Sequence, residues 1–249
     1  MSMSMFFWVK KVVPGLIVAA DGSGDYTDIQ SAVDALPAAG GAIIVKDGTY
    51  TLTTSIVIDS DSITITGSGY NTIVTIGAVN DYVFNLTGGT RFELRSMRLI
   101  GTTYLPIPAE VIRLENCSDG LIDRCWLTAP RSRIFDNGGS VTRVTISNNF
   151  IYDCYDWAIY FSMAGTNNCL ICNNYIDNTH DYDGIALIGD CNNNVITNNV
   201  IRNSNRYGIY IQAATGDKNI IIGNIITGSG TAAILDNGTG TVNIGNVES

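Results

Sequence analysis

The chain has a single histidine, His180, and its six cysteines (117, 125, 154, 169, 172 and 191) form no repeating column. Cys169 and Cys172 make one CxxC. A four-ligand metal site of the common kind needs a second pair, or histidines at matching spacing, so buried free thiols are the reading and no metal ligand is assigned. Charge is scarce as well: charged residues are 15% of the 249, with a net charge of −9. A nucleic-acid partner calls for basic patches, which argues against one here. An acidic polymer would be repelled overall, and binding one would need a local arginine cluster or bridging cations. No apolar stretch reaches the ~18 residues of a membrane span. Residues 5 to 9, MFFWV, are too short for a signal-peptide core, and Lys10 and Lys11 follow them rather than precede them.

A helical apolar period is missing from most of the chain, where Asn, Gly and Thr punctuate every few residues. In its place stands a repeat. Asn149, Asn174, Asn199 and Asn224 recur every 25 residues (174−149, 199−174, 224−199), each followed by an apolar pair such as Phe150-Ile151 or Tyr175-Ile176. Ile146, Ile171, Ile196 and Ile221 keep the interval, as do Asn148, Asn173 and Asn198, with Gly223 in the fourth place. Columns of this kind mean that each turn of chain lies on the last and buries its apolar residues against its neighbours. Short β runs with three turns per ~25 residues describe an all-β, single-stranded right-handed parallel β-helix. Asn tolerates left-handed backbone angles, and its amide can bond to the amide one coil away, so the Asn column reads as an internal hydrogen-bonded ladder.

The organisation that follows is an N-terminal arm (1–15), a strand and capping helix (16–39), and a solenoid of about nine coils (40–249). Ile29, Ala32, Val33 and Leu36 fall at i, i+3, i+4 and i+7, the face of a short amphipathic helix that Pro37 ends. It would cover the open first coil, whose edge would otherwise pair with other chains. Residues 104–108, YLPIP, are the one evident insertion. At the C-terminal end no cap is recognisable.

Three segments carry a family resemblance: VAADGSGDYTDIQSAVDALP from Val18 to Pro37, IVKDGTY from Ile44 to Tyr50, and ITGSG from Ile65 to Gly69. They resemble the opening of pectin-lyase-like β-helix proteins, a superfamily of pectinesterases, polysaccharide lyases, epimerases and viral tailspikes and fibres. The Asn-rich coils are similar to its carbohydrate-associated repeats, so the likeness covers nearly the whole chain. It implies the fold; one fold hosts many activities. The pectinesterase catalytic motifs have no counterpart here, which makes that activity improbable. Thr179-His180-Asp181 shares two residues with an alginate-epimerase element.

If Ile159, Phe161, Ile185, Leu187, Ile209 and Ile211 face the core, then Tyr160, Ala186 and Tyr210 face out on the same sheet. Just before that sheet stand Trp157, Tyr182 and Tyr207, again 25 apart (182−157, 207−182). Such a ladder suits sugar rings, and Asp and Arg nearby suit hydroxyls and carboxylates. The resemblance places a substrate groove along this sheet, which makes Trp157, Tyr182, Tyr207, Tyr160, Tyr210, Arg131 and Arg133 the candidate substrate contacts. For chemistry, His180 beside Asp181 and Asp183 is the candidate general base or acid, with Arg131, Arg133 or Arg206 stabilising a uronate carboxylate or enolate. Two of Asp153, Asp156, Asp181 and Asp183 are the alternative, as a glycosidase pair, and the same carboxylates could hold Ca²⁺. Otherwise no cofactor is expected. Tyr155 and Arg202 lie in the same region. Coils of 24 to 26 residues leave little material for a deep cleft (159−134 = 25, 185−159 = 26, 209−185 = 24, 234−209 = 25).

Phe150, Tyr175, Val200 and Ile225 should form an outward apolar stripe, the mark of an interface. With the C-terminal end and the apolar arm it suggests a homo-oligomer. The expectation is therefore a structural or assembly subunit of virion-fibre, decoration or cell-surface type, with a polysaccharide-binding face and a location at a virion or cell surface. A polysaccharide lyase, epimerase or glycoside hydrolase is the alternative.

Overall fold

In a computed structural model, residues 15–77, 82–101, 110–128, 134–136, 139–162, 165–212 and 216–249 are described. They wind through three parallel sheets in a fixed rotation. The first sheet holds ten strands from Leu16–Val18 to Val242–Ile244, the second nine from Gly48–Leu52 to Val247–Glu248, and the third eight from Ile56–Ile58 to Ala232–Asp236. Every strand pair is parallel and in register one coil apart, as in Ile146↔Ile171, Ile151↔Ile176 and Ile159↔Ile185. The expected parallel β-helix is what the chain forms.

The corner between the first and second sheets is only two residues long, and it divides the two jobs of asparagine between adjacent columns. Asn148, Asn173 and Asn198 take the left-handed angles (φ 54, 56 and 54°), with Gly223 and Gly245 continuing the column at 67 and 66°. Asn149, Asn174, Asn199 and Asn224 point inward, at most 2% exposed. Each takes the next one's Oδ1 as acceptor for both its backbone N–H and its Nδ2, at 3.0 Å on every rung from Asn149 to Asn224. The ladder runs one rung further than the period reveals, to Asn246. A second buried amide column, Asn194 and Asn219, fills the corner between the third and first sheets. Buried backbone groups at a bend must find partners, and stacked amides supply them.

Most inward positions of the three sheets are Ile, Leu, Val and Phe at or near zero exposure. The column of Ile221 then ends in Asn243, and that of Ile226 in Glu248. At the other end the helix Ile29–Asp34 covers the first coil, its N-terminus capped by Asp28 Oδ1 accepting from Ser31 N at 2.8 Å. Ile29 and Ala32 are buried, and Val33 and Leu36 pack partly against the core. Gln30 seals the edge strand of the third sheet, accepting from Val57 N at 2.7 Å. A sheet edge plugged by a side chain cannot recruit a foreign strand. The arm and the 104–108 insertion lie outside the described residues.

Candidate functional site

The ladder of aromatics forms where the second sheet turns into the third, but arginine completes it. Trp157 and Tyr182 stack with ring centroids 4.2 Å apart. Tyr207 does not stack on Tyr182: the Arg206 guanidinium fits between them, 4.9 Å from the Tyr182 ring and 5.6 Å from that of Tyr207. Tyr160 leans on Trp157 at 4.2 Å, and Tyr210 on Tyr207 at 5.1 Å. Ala186, in register between Tyr160 and Tyr210 on the outward positions, is fully buried. Much of the ring-face area is thus used within the cluster, whose five rings are half-buried and whose guanidinium is partly exposed.

Asp183 organises this arrangement. It is fully buried, and its two oxygens accept from Arg206 Nε (3.1 Å) and Nη2 (2.7 Å), Trp157 Nε1 (3.1 Å) and the Tyr207 backbone N–H (3.1 Å). Four donors occupy the lone pairs of a carboxylate, so Asp183 has no room to serve as an acid or base. Its expected place among catalytic carboxylates becomes an anchoring one. Hydrogen bonding to Asp183 raises the Arg206 pKa above its ordinary value, and burial pushes the Tyr160 phenol up. The Asp183–Arg206 pair is neutral as a unit, which suits hydroxyl-bearing ligands better than polyanions.

His180 is paired across coils rather than along the chain. Its Nε2 lies 2.7 Å from Asp153 Oδ1, which also accepts from Asn178 Nδ2 at 2.9 Å, and Tyr155 packs on the ring at 4.9 Å. Asp181 is exposed, and its backbone carbonyl accepts from Asn205 Nδ2 at 3.2 Å; Asp156 is half-buried. Arg131 and Arg133 lie outside the described residues. Sequence reasoning missed Asn178, Asn203 and Asn205, which follow the same 25-residue column spacing beside His180 (203−178).

The stripe faces out as expected, in register from Phe150 through Tyr175 and Val200 to Ile225, with Phe150 and Tyr175 stacked at 5.0 Å and 3°. Cys169 is buried while Cys172, three residues on along the strand Leu170–Cys172, is half-buried on the outer side. Among the described residues no group of three His, Cys, Asp or Glu side chains is placed to hold a metal ion, and no helix is long and apolar enough to cross a membrane.

A family model described as a right handed beta helix region matches residues 98–248. No curated protein matches the chain in sequence. Among solved structures, the Dettilon tailspike protein superposes with a TM-score of 0.67 at 17% identity, over 90% of this chain and 44% of its own. The catalytic domain of a GH87 α-1,3-glucanase in complex with nigerose gives 0.68 at 17%, over 96% and 46%. The pectin methylesterase from carrot gives 0.60 at 19%, over 94% and 89%. The chain spans less than half the length of the first two. At such identities the likeness is one of fold.

Proposed function

The chain belongs to the right-handed β-helix family, and from that premise we propose that it is a structural subunit of a virion or cell surface whose third-sheet face binds polysaccharide without cleaving it. The observation that carries this reading is the Trp157–Tyr182–Arg206–Tyr207 column, held rigid by the buried Asp183. Fixed aromatic edges and a fixed guanidinium recognise a sugar at small entropic cost. Tailspikes and a glucanase among the structural neighbours are in keeping with a carbohydrate ligand. The corners argue for binding over catalysis. Two residues, Asn205 and Arg206, join the strands Val200–Ser204 and Tyr207–Ile211, and four join Phe150–Cys154 to Ile159–Phe161, too few to wall a cleft. The Phe150, Tyr175, Val200 and Ile225 stripe would serve assembly with further copies.

Affinity electrophoresis over a panel of neutral and acidic polysaccharides, with and without Ca²⁺, tests the binding. Wild type should be retarded by at least one polymer, and both Arg206→Gln and the Trp157→Ala, Tyr207→Ala double variant should lose that retardation. Retardation unchanged in both variants would remove the third-sheet face from the reading.

One observation favours an enzyme instead, namely the His180–Asp153 pair, since a carboxylate on one ring nitrogen is how a histidine base is oriented. Reducing-end release or an unsaturated-uronate chromophore that vanishes in His180→Ala would establish that alternative. A solution mass of one chain at micromolar concentration would refute the assembly role.

A further inference from the structure

At the corner between the second and third sheets one column of side chains shrinks from coil to coil, and the column beside it ends in glycine. Tyr155, His180, Asn205 and Gly230 occupy one column, and Asp153, Asn178, Asn203 and Gly228 the column beside it. This taper leaves a shallow notch of about 300 Å³ above His180, lined by Asn178, Thr179, His180, Asn203, Ser204 and Asn205, with Gly228 and Gly230 at its upper edge. Building on the glycan-binding reading above, we propose that this notch is a subsite for a single neutral sugar ring, a chain end or a branch of the polymer lying on the third sheet.

Size comes first. The notch is shallow and open, and its volume of about 300 Å³ has room for one ring. Polarity comes second, since no aliphatic or aromatic hydrocarbon side chain lines it. The amide nitrogens of its asparagines are directed elsewhere: Asn178 Nδ2 to Asp153, Asn203 Nδ2 to Asp177 at 2.8 Å, and Asn205 Nδ2 to the Asp181 carbonyl. Their oxygens are left as acceptors, and Asn203 Oδ1 reaches to 2.7 Å from where a β-carbon on Gly228 would stand. His180 Nε2 is engaged with Asp153 Oδ1, so in the neutral tautomer that this bond selects Nδ1 would be another acceptor. An acceptor-rich lining backed by the carboxylates of Asp153 and Asp177 calls for a ligand that donates many hydrogen bonds and carries no negative charge, which describes the hydroxyls of a neutral sugar. Place comes third. Asn205 adjoins Arg206 and His180 stands two residues before Tyr182, so the notch opens beside the aromatic cluster, within about 7 Å of chain.

Saturation-transfer NMR with the methyl glycosides of glucose, galactose, mannose and rhamnose tests this on the full chain. At least one should bind in the millimolar range. Asn205→Tyr, an exposed position where the new ring continues the Tyr155–His180 column into the notch, should cut the signal tenfold or more. Asn203→Ala, which deletes an acceptor without filling space, should cut it several-fold, and Tyr70→Ala on the second-sheet side should leave it unchanged. Circular dichroism of each variant guards against unfolding.

Binding to Asn205→Tyr equal to wild type overturns the subsite, and so does the absence of binding by all four glycosides. Binding abolished by Ca²⁺ alone would make it a cation site and overturn it too. None of these results touches the retardation of polymers through Arg206 and Trp157, which fails or stands by its own experiment.

Discussion

Two adjacent asparagines, Asn198 and Asn199, look interchangeable in the repeat and should behave in opposite ways when replaced. The Asn199 side chain makes four hydrogen bonds. Its Oδ1 accepts from Asn174 N and Asn174 Nδ2 at 3.0 Å each, and its Nδ2 donates to Ile171 O at 2.9 Å and to Asn224 Oδ1 at 3.0 Å. Asn199→Ala leaves the buried Asn174 N–H without an acceptor, which costs about 1–3 kcal/mol, and forfeits other bonds worth roughly 0.5–1.5 kcal/mol each. About 3 kcal/mol is expected in total. Asn198 is exposed at φ 54°, a conformation that glycine adopts freely. Asn198→Gly should therefore change stability by only a few tenths of a kcal/mol, and Asn198→Ala should lose about 1 kcal/mol to left-handed strain. Urea titration followed by circular dichroism orders the three variants, and hydrogen exchange reads the Asn174 amide directly. In Asn199→Ala that amide should lose protection ahead of its neighbours, because a stack of coils opens at its weakest interface. The reasoning is refuted if Asn199→Ala is no less stable than Asn198→Ala, or if Asn198→Gly is the worst of the three.

Asp183→Asn should destabilise by roughly 1–3 kcal/mol, less than the loss of a fully buried pair because the Arg206 side chain is 36% exposed. Its readouts are the thermal midpoint and the tryptophan fluorescence of Trp157. Burial pushes the thiols of Cys125 and Cys191 up to about 12 and that of Cys169 to about 11, so a thiol reagent at pH 8 should label the half-buried Cys172 first and all six only on unfolding. Hydrogen bonds from Arg143 hold Asp119 down at about 2. A carboxylate depressed on folding stabilises above its unfolded pKa, and that contribution is lost as pH falls from near 4 through 2, so the Asp119 carboxyl resonance should titrate there and Asp119→Asn should flatten stability over that window.

The fold was legible because a solenoid turns sequence interval into spatial contact. Twenty-five residues is one coil, and the alternation around Ile146, Ile151 and Ile159 separates inside from outside. Partners within the site were not legible in the same way. His180 stands beside Asp181 in sequence, and its carboxylate partner is Asp153, one coil down and displaced by two residues. An aromatic every 25 residues suggested continuous stacking, but Arg206 precedes Tyr207 directly and its long side chain reaches the gap first. The end of the amide ladder was hidden for a related reason. Asn246 follows Asn224 by 22 residues, because the last corner between the third and first sheets is shorter.

The same cross-coil pairing bears on binding versus catalysis. A general acid or base needs a carboxylate or imidazole that changes protonation at little cost, and a cleft that excludes water around it. On this face the polar groups are directed at the neighbouring coil: Asp183 up to Arg206, His180 down to Asp153, Asn203 down to Asp177. Each such bond fixes a side chain against the neighbouring coil. What the arrangement gains is rigidity over several coils, spaced at the ~4.8 Å of a parallel sheet. A sugar polymer lying along the axis would meet fixed ring edges, hydroxyls and amide oxygens at that near-regular spacing. Affinity of that kind adds up over a long ligand while each contact remains weak, so binding should rise steeply with oligosaccharide length. Equal affinity for a disaccharide and a dodecasaccharide would point to one dedicated pocket instead.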